Sequence, residues 1–226
     1  MFCVKYRARV SQAELPLFPL EAPALFPFCA APLHIFEPRY RALVTDALAR
    51  ERLIGMATVR PEGLSALSSD PALFSIGCAG FIAEHQRLAD GRYLILLEAT
   101  SRFRILQEPA RPAERLYRVA QVELLEELPG DEGRAREHRA EITRELLAIA
   151  AADADGGAGF DESRLEEPDL SRFACEVAHA LRLPGPEKQA LLEASSAEER
   201  LERVAQTLSF YRALAARRSG GEPTLH

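Results

Sequence analysis

A change of hydrophobic period near residue 128 constrains this chain more than any other feature of its sequence. Before that point apolar residues come in strand-length runs; beyond it they recur every three or four positions. The runs "RLIGMATV" (52–59), "LFSIGCAGFIAEHQRL" (73–88), "RYLILLEA" (92–99), "SRFRILQE" (101–108) and "YRVAQVELLEE" (117–127) are rich in branched and aromatic side chains. Phe103 and Ile105 alternate with Arg102 and Arg104, as a half-buried strand requires. Asp90-Gly91 predicts a hairpin with a tight primed turn, because Gly accepts the positive φ such turns need. The two prolines of "EPARPAER" (108–115) predict a loop or irregular edge.

One helix interrupts the β half. Tyr40, Leu43, Val44, Ala47 and Leu48 form a single stripe at helical spacing. Pro38 suits the first turn, where its missing N–H would have no intrahelical partner, so the helix is expected over 38–50. In the second half, Ile142, Leu146, Ile149 and Ala150 mark one helix. Leu170, Phe173, Ala174, Val177, Ala178 and Leu181 mark another, which "LPGP" (183–186) ends. A short helix from Pro186 to Ala194 follows, then Ser196 and Glu199 in a capping-box pattern ahead of Leu201, Val204, Leu208 and Tyr211. The Gly- and acid-rich stretch 153–168 reads as a mobile connector. The expected organisation is α+β, with a β subdomain over 14–128, a helical subdomain over 129–217, and flexible ends at 1–13 and 218–226.

Function classes can be excluded in turn. Hydrophobic residues at 47% and charged residues at 27% describe an ordinary soluble globular protein, and no apolar run approaches the roughly 20 residues of a membrane span. The N-terminus lacks the apolar core of a secretory signal, so the expected compartment is the cytoplasm. A net charge of −6 argues against a nucleic-acid footprint. Cys3, Cys29, Cys78 and Cys175 have no paired spacing, so neither a zinc site nor a disulfide framework is expected, and each reads as a small buried hydrophobe.

Catalytic motifs are missing as well. No glycine precedes a lysine, so there is no phosphate-binding loop, and GxGxxG and GxSxG do not occur. ATP, NAD and metal cofactors are therefore not expected, nor is a catalytic residue. Histidines 34, 85, 138, 179 and 226 are scattered singly, and Lys188 is expected to be solvated at a helix start. His34 and Glu37, within "PLHIFEPRY" (32–40), are the sharpest candidates for chemistry. Strand alternation sends Leu33 and Ile35 inward and leaves His34 outward, while Glu37 sits at the helix start beside Arg39 and Arg41. Architecture accounts for both residues.

Seven segments in order carry a family resemblance: "LPLFPL" (15–20), "LFPF" (25–28), "PLHIFEPRYRALV" (32–44), "IGMATV" (54–59), "IGCAGFI" (76–82), "DGRYLILLEATSRFRI" (90–105) and "KQALLEASSAEERLERV" (188–204). Together they resemble the N-terminal substrate-recognition domain of Lon-type ATP-dependent proteases. The motif positions are Pro32, His34, Phe36, Glu37, Pro38, Arg39, Tyr40, Asp90, Gly91, Arg102 and Phe103. Ala99 departs from the pattern, which often has Gly there. The resemblance implies a PUA-like β-barrel or pseudo-barrel with one inserted helix, followed by a helical bundle. In full-length Lon an ATPase module and a Ser–Lys protease follow; with no Gly-Lys and no lysine after Lys188, both are expected to be missing from this sequence.

The leading expectation is a non-catalytic module that binds exposed or unfolded polypeptide, acting as an adaptor with a full-length Lon or another protease. Its expected surface is the cluster Leu17, Phe18, Leu25, Phe26 and Phe28, punctuated by Pro16, Pro19, Pro23 and Pro27. Proline-bounded backbone fits poorly inside a sheet, although most phenylalanine is buried and a core role competes. A second expectation is RNA binding, since PUA-like folds occur in RNA-modifying proteins and Arg102, Arg104, Arg111, Arg115 and Arg118 could share a surface. A third, the weakest, is an unrecognised hydrolase with a His or carboxylate pair in a cleft.

Overall fold

Among the residues described by the computed structural model, 12–21, 25–66, 70–152 and 162–219, the elements run as follows. They are β1 (Gln12–Leu20), β2 (Ala30–Ile35), α1 (Pro38–Leu48), β3 (Leu53–Thr58), β4 (Ile76–Arg87), β5 (Tyr93–Gln107) and β6 (Arg118–Leu125), then α2 (Glu132–Ala152), α3 (Leu170–Ala180), α4 (Gly185–Glu193) and α5 (Ala197–Ser219). The expected flexible ends lie mostly outside the described residues, except that Gln12 and Ala13 already belong to β1, and Arg218 and Ser219 to α5. Of the expected connector, 153–161 lies outside them too, and Glu162–Glu166 forms a 3-10 turn.

The six strands form one sheet in the order β2-β5-β4-β3-β1-β6, and β5 pairs additionally with β6. The pairings β5-β4-β3-β1-β6 therefore return to β5, leaving β2 attached outside that ring. What the sequence presents as two strands, 92–99 and 101–108, is the single strand β5. A bulge makes this possible: Ala79 faces Ser101 while Gly80 faces Ala99, so Thr100 is the extra residue. Thr100 ties itself back by donating from Oγ1 to the Ala79 carbonyl at 3.1 Å. One edge of β5 then follows β4 throughout, while the other pairs with β2 over 93–98 and with β6 over 102–107.

Strand β1 lies inside the sheet despite Pro16 and Pro19. Its two ladders are staggered: β6 pairs with Gln12 to Leu17, and β3 pairs in parallel with Leu17 to Leu20. Each proline thus sits where β1 is paired on one side only, and its missing N–H need not interrupt a ladder. Leu15 and Leu17 pack into a core cluster with Ala79, Phe103, Ala120 and Val122. Phe103 fills space that glycine leaves open: a Cβ on Gly77 would lie 2.5 Å from both the Phe103 ring and the Met56 carbonyl oxygen.

The hairpin at Asp90-Gly91 forms, but without a two-residue primed turn. The Gly91 N–H donates to the Leu88 carbonyl at 2.9 Å and the Leu88 N–H to the Arg92 carbonyl at 2.8 Å. Only Gly91 has positive φ, +82°, the pattern of a three-residue loop closed by a glycine bulge. Asp90 accepts the Arg92 N–H at 3.0 Å, and that bond, with the Arg92 guanidinium, holds its carboxyl below the usual carboxylate range.

Two compact units emerge. One comprises the chain up to Glu126 together with Leu181–Glu193; the other comprises Glu127–Ala180 and the chain from Ala194. Helix α4, which the sequence reading groups with the helical part, thus belongs with the sheet. The reason is main-chain anchorage: Gln189 donates to the Ile76 carbonyl at 2.9 Å, and Arg102 donates to the Leu192 carbonyl at 3.2 Å. Lys188 is also a correction, being buried rather than solvated. Burial lowers its pKa, and its ammonium donates to the Leu181 carbonyl at 3.1 Å.

In the second unit α2 and α5 run side by side in the same direction, with Arg134 near Glu198 at one end and Arg212 paired with Glu145 at the other. Ile142, Phe173, Val177, Leu201 and Val204 are fully buried there, and the Arg139 guanidinium lies 4.8 Å above the Phe173 ring. The expected capping box is present in a shifted form. Ser196 Oγ accepts the Glu199 N–H at 3.1 Å, whereas the Glu199 carboxylate reaches back to Ser195 rather than Ser196.

Candidate functional site

The most accessible apolar surface near the family motif is built on β2 and the turn that feeds it. The Cys29 N–H donates to the Phe26 carbonyl at 3.1 Å, closing a four-residue turn with Pro27 second and Phe28 third. Phe28 has φ of +68°, so the turn is of the type II kind, in which the third position normally falls to Gly. A bulky residue in that conformation is strained. The residue is 38% exposed.

Beyond the turn, β2 pairs with β5 and with no other strand among the described residues. The Ala99 N–H donates to the Cys29 carbonyl at 2.8 Å, which fixes the phase of the ladder. Alternation along an antiparallel strand then directs the main chain of Ala31, Leu33 and Ile35 toward β5 and that of Ala30, Pro32 and His34 away from it. Pro32 stands at an outward position, where its missing N–H costs the sheet nothing. Ala30, Pro32 and His34 are all exposed.

Register sets the neighbours of this edge. His34 lies opposite Leu94, which is 43% exposed, and Pro32 lies opposite Leu96. Phe36, just past the strand, is 60% exposed, and its ring centroid lies 6.0 Å from that of His34. At the start of α1, Glu37 adopts extended backbone as the N-cap without a side-chain cap bond. Its carboxylate pairs with Arg39 at 2.9 Å. The Arg39 guanidinium stacks 4.5 Å above Tyr40, whose ring stacks in turn on Phe18 with centroids 4.0 Å apart. Glu37 and His34 are therefore held by architecture, and nothing aims one at the other.

Four of the five residues expected to line a peptide groove belong to the core instead. Leu17, Phe18, Leu25 and Phe26 are at most 7% exposed, leaving Phe28 as the member that reaches the surface. The staggered pairing of β1 is the physical cause for Leu17 and Phe18. Phe36 and Leu94, which the sequence does not single out for binding, supply exposed apolar surface at the Ile35 end of β2, the end opposite Phe28. Strand alternation marks Leu94 as outward only once its partner's register is known.

The arginines proposed for RNA are largely engaged by acids. Arg104 pairs with Glu123 at 3.0 Å, Arg111 with Asp70 at 2.9 Å and Arg118 with Glu108 at 2.6 Å. Arg102 is buried. A shallow cleft of about 190 Å³ is lined by the Arg111–Asp70 and Arg118–Glu108 pairs together with Arg115. A second cleft, of about 300 Å³, is lined by Pro38, Arg41, Thr45, Arg87 and Tyr93 among others, with no His or carboxylate in its wall. Cys29, Cys78 and Cys175 are buried and in no disulfide; Cys3 lies outside the described residues. No helix among the described residues is long and apolar enough to cross a membrane.

Comparison with known proteins agrees with this architecture. Residues 14–209 match the model of the ATP-dependent protease La (LON) substrate-binding domain. Lon protease 1 of Thermus thermophilus is 29% identical over 199 residues, covering 84% of this chain but 24% of that protein. Lon protease 2 of Sorangium cellulosum is 27% identical over 198 residues with the same coverage, so the chain spans about a quarter of the length of these relatives. Among solved structures, a Lon N-terminal domain protein from Xanthomonas campestris superposes with a TM-score of 0.59 at 25% identity, covering 88% of this chain and 98% of that one. The N-terminal domain of a Mycobacterium avium complex Lon protease shares the fold, with a TM-score of 0.66 at 20% identity, 87% of this chain and 98% of that one. The match covers the substrate-binding part of Lon and not its protease domain. The chain belongs to the LON substrate-binding domain family.

Proposed function

We propose that this chain is a non-catalytic binding module that recognises exposed or unfolded polypeptide segments and presents them to a Lon or another protease in the cytoplasm. On this reading the ring of paired strands is a PUA-like pseudo-barrel and the second unit a helical bundle. The observation that carries the proposal is the outer edge of β2, which among the described residues pairs on one side only, with exposed Phe28 before it and exposed Phe36 and Leu94 at its far end. An unfolded chain offers what such a surface can use: apolar side chains and unsatisfied main-chain groups. RNA binding is the weaker reading, because Arg104, Arg111 and Arg118 pair with Glu123, Asp70 and Glu108 and Arg102 is buried.

The test is retention of client proteins on the immobilised chain before and after denaturation. Selective retention of denatured clients is expected. Equal retention of native and denatured forms would argue against the proposal.

A further inference from the structure

Phe28 combines two properties that seldom coincide. Its backbone occupies the left-handed region at φ +68°, which disfavours a side chain this large, yet the residue is 38% exposed. A residue kept in a strained conformation for the sake of packing would be buried, as Phe26 is. Gly at this position would relax the turn, and Phe28 lies outside the fully buried core. Burial therefore offsets the strain only in part, and such an outlier points to function.

The turn places Phe28 directly before the outward-facing edge of β2. That edge has a definite pattern: Ala30 and His34 direct their N–H and C=O groups outward, while Pro32 between them retains only its carbonyl. The ligand that matches alternating donors and acceptors along a strand is another strand. Pro32 limits the match to a short segment and blocks unlimited sheet extension, so pairing here stays reversible.

Resting on the reading above that the chain binds unfolded polypeptide, we propose how it does so. An extended segment adds to the outer edge of β2, hydrogen-bonding Ala30 and His34, while Phe28 anchors one of its large apolar side chains. Phe36 and Leu94 flank the remainder of the segment.

Three proteins decide the matter: wild type, Phe28→Gly, and the double variant Ala30→Pro/His34→Pro. The prolines remove outward donors only and leave the β2–β5 ladder intact. The probe is fluorescein-labelled lactalbumin, reduced and carboxymethylated so that it stays unfolded, followed by anisotropy. Phe28→Gly should weaken binding about tenfold while raising the melting temperature by about 3 °C, a pairing of effects that a core residue would not give. The double proline variant should lose binding by a similar factor with its melting temperature held.

Wild-type binding that both variants retain would overturn this mode and leave the general function standing. A wild type that fails to bind the probe would overturn both. A wild-type dimer in sedimentation that the proline variant dissociates would assign the edge to a second copy of the chain, and would also overturn the proposal.

Discussion

Arg102 donates from Nη1 to the carbonyl oxygen of Leu192, 3.2 Å away and 90 residues further along the chain. The arginine lies on β5, is 4% exposed, and holds the end of α4 against the sheet. A charged hydrogen bond in such surroundings contributes more than a neutral one at the surface. Arg102→Met should therefore destabilise the fold by about 2 kcal/mol in urea unfolding, with the loss centred on the β unit.

Gly77 is where the core tolerates least. A Cβ there would meet a ring on one side and the Met56 carbonyl of the paired strand on the other, each at 2.5 Å. The ring could shift, but the strand cannot without breaking its ladder. Gly77→Ala should cost about 3 kcal/mol, measured by the same unfolding transition.

Glu199 gives the stability a dependence on acid. Hydrogen bonds from the Ser195 main-chain N–H and hydroxyl hold its carboxyl below the usual carboxylate range. A lowered folded-state pKa means that its contribution is complete above the unfolded value near 4.5 and vanishes as pH falls through the folded one. The difference in melting temperature between wild type and Glu199→Gln should shrink steadily on acidification across that window. A difference independent of pH would contradict this role.

Thiol chemistry should report burial. Cys29, Cys78 and Cys175 are enclosed, so a Cys3→Ser variant should show negligible reaction with a thiol reagent when native and three equivalents when denatured. Rapid native labelling would mean that one of these thiols is accessible.

Much of this architecture is legible in the sequence, because period and turn chemistry are local. The α1 stripe, the capping residues of α5 and the hairpin at Gly91 all follow from neighbours within a few positions. What was illegible depends on pairing at long range. Pro16 and Pro19 argue against a place for β1 inside the sheet, and the stagger of its two ladders, which admits it, is set by distant partners. The bulge at Thr100 merges two expected strands into one. Leu17, Phe18, Leu25, Phe26 and Phe28 look alike in composition, and only the backbone separates four core residues from the one held outward. Lys188 looks solvated because its helix is polar, but the sheet beneath that helix buries it.

The central claim is recognition of a client's unfolded state rather than its sequence. Its most direct measurement is a titration of this chain against one labelled polypeptide in two forms, native lactalbumin and its reduced, carboxymethylated counterpart. The account predicts saturable binding to the unfolded form and at least about tenfold weaker binding to the native one. Equal affinity for the two forms, or none for either, would contradict it.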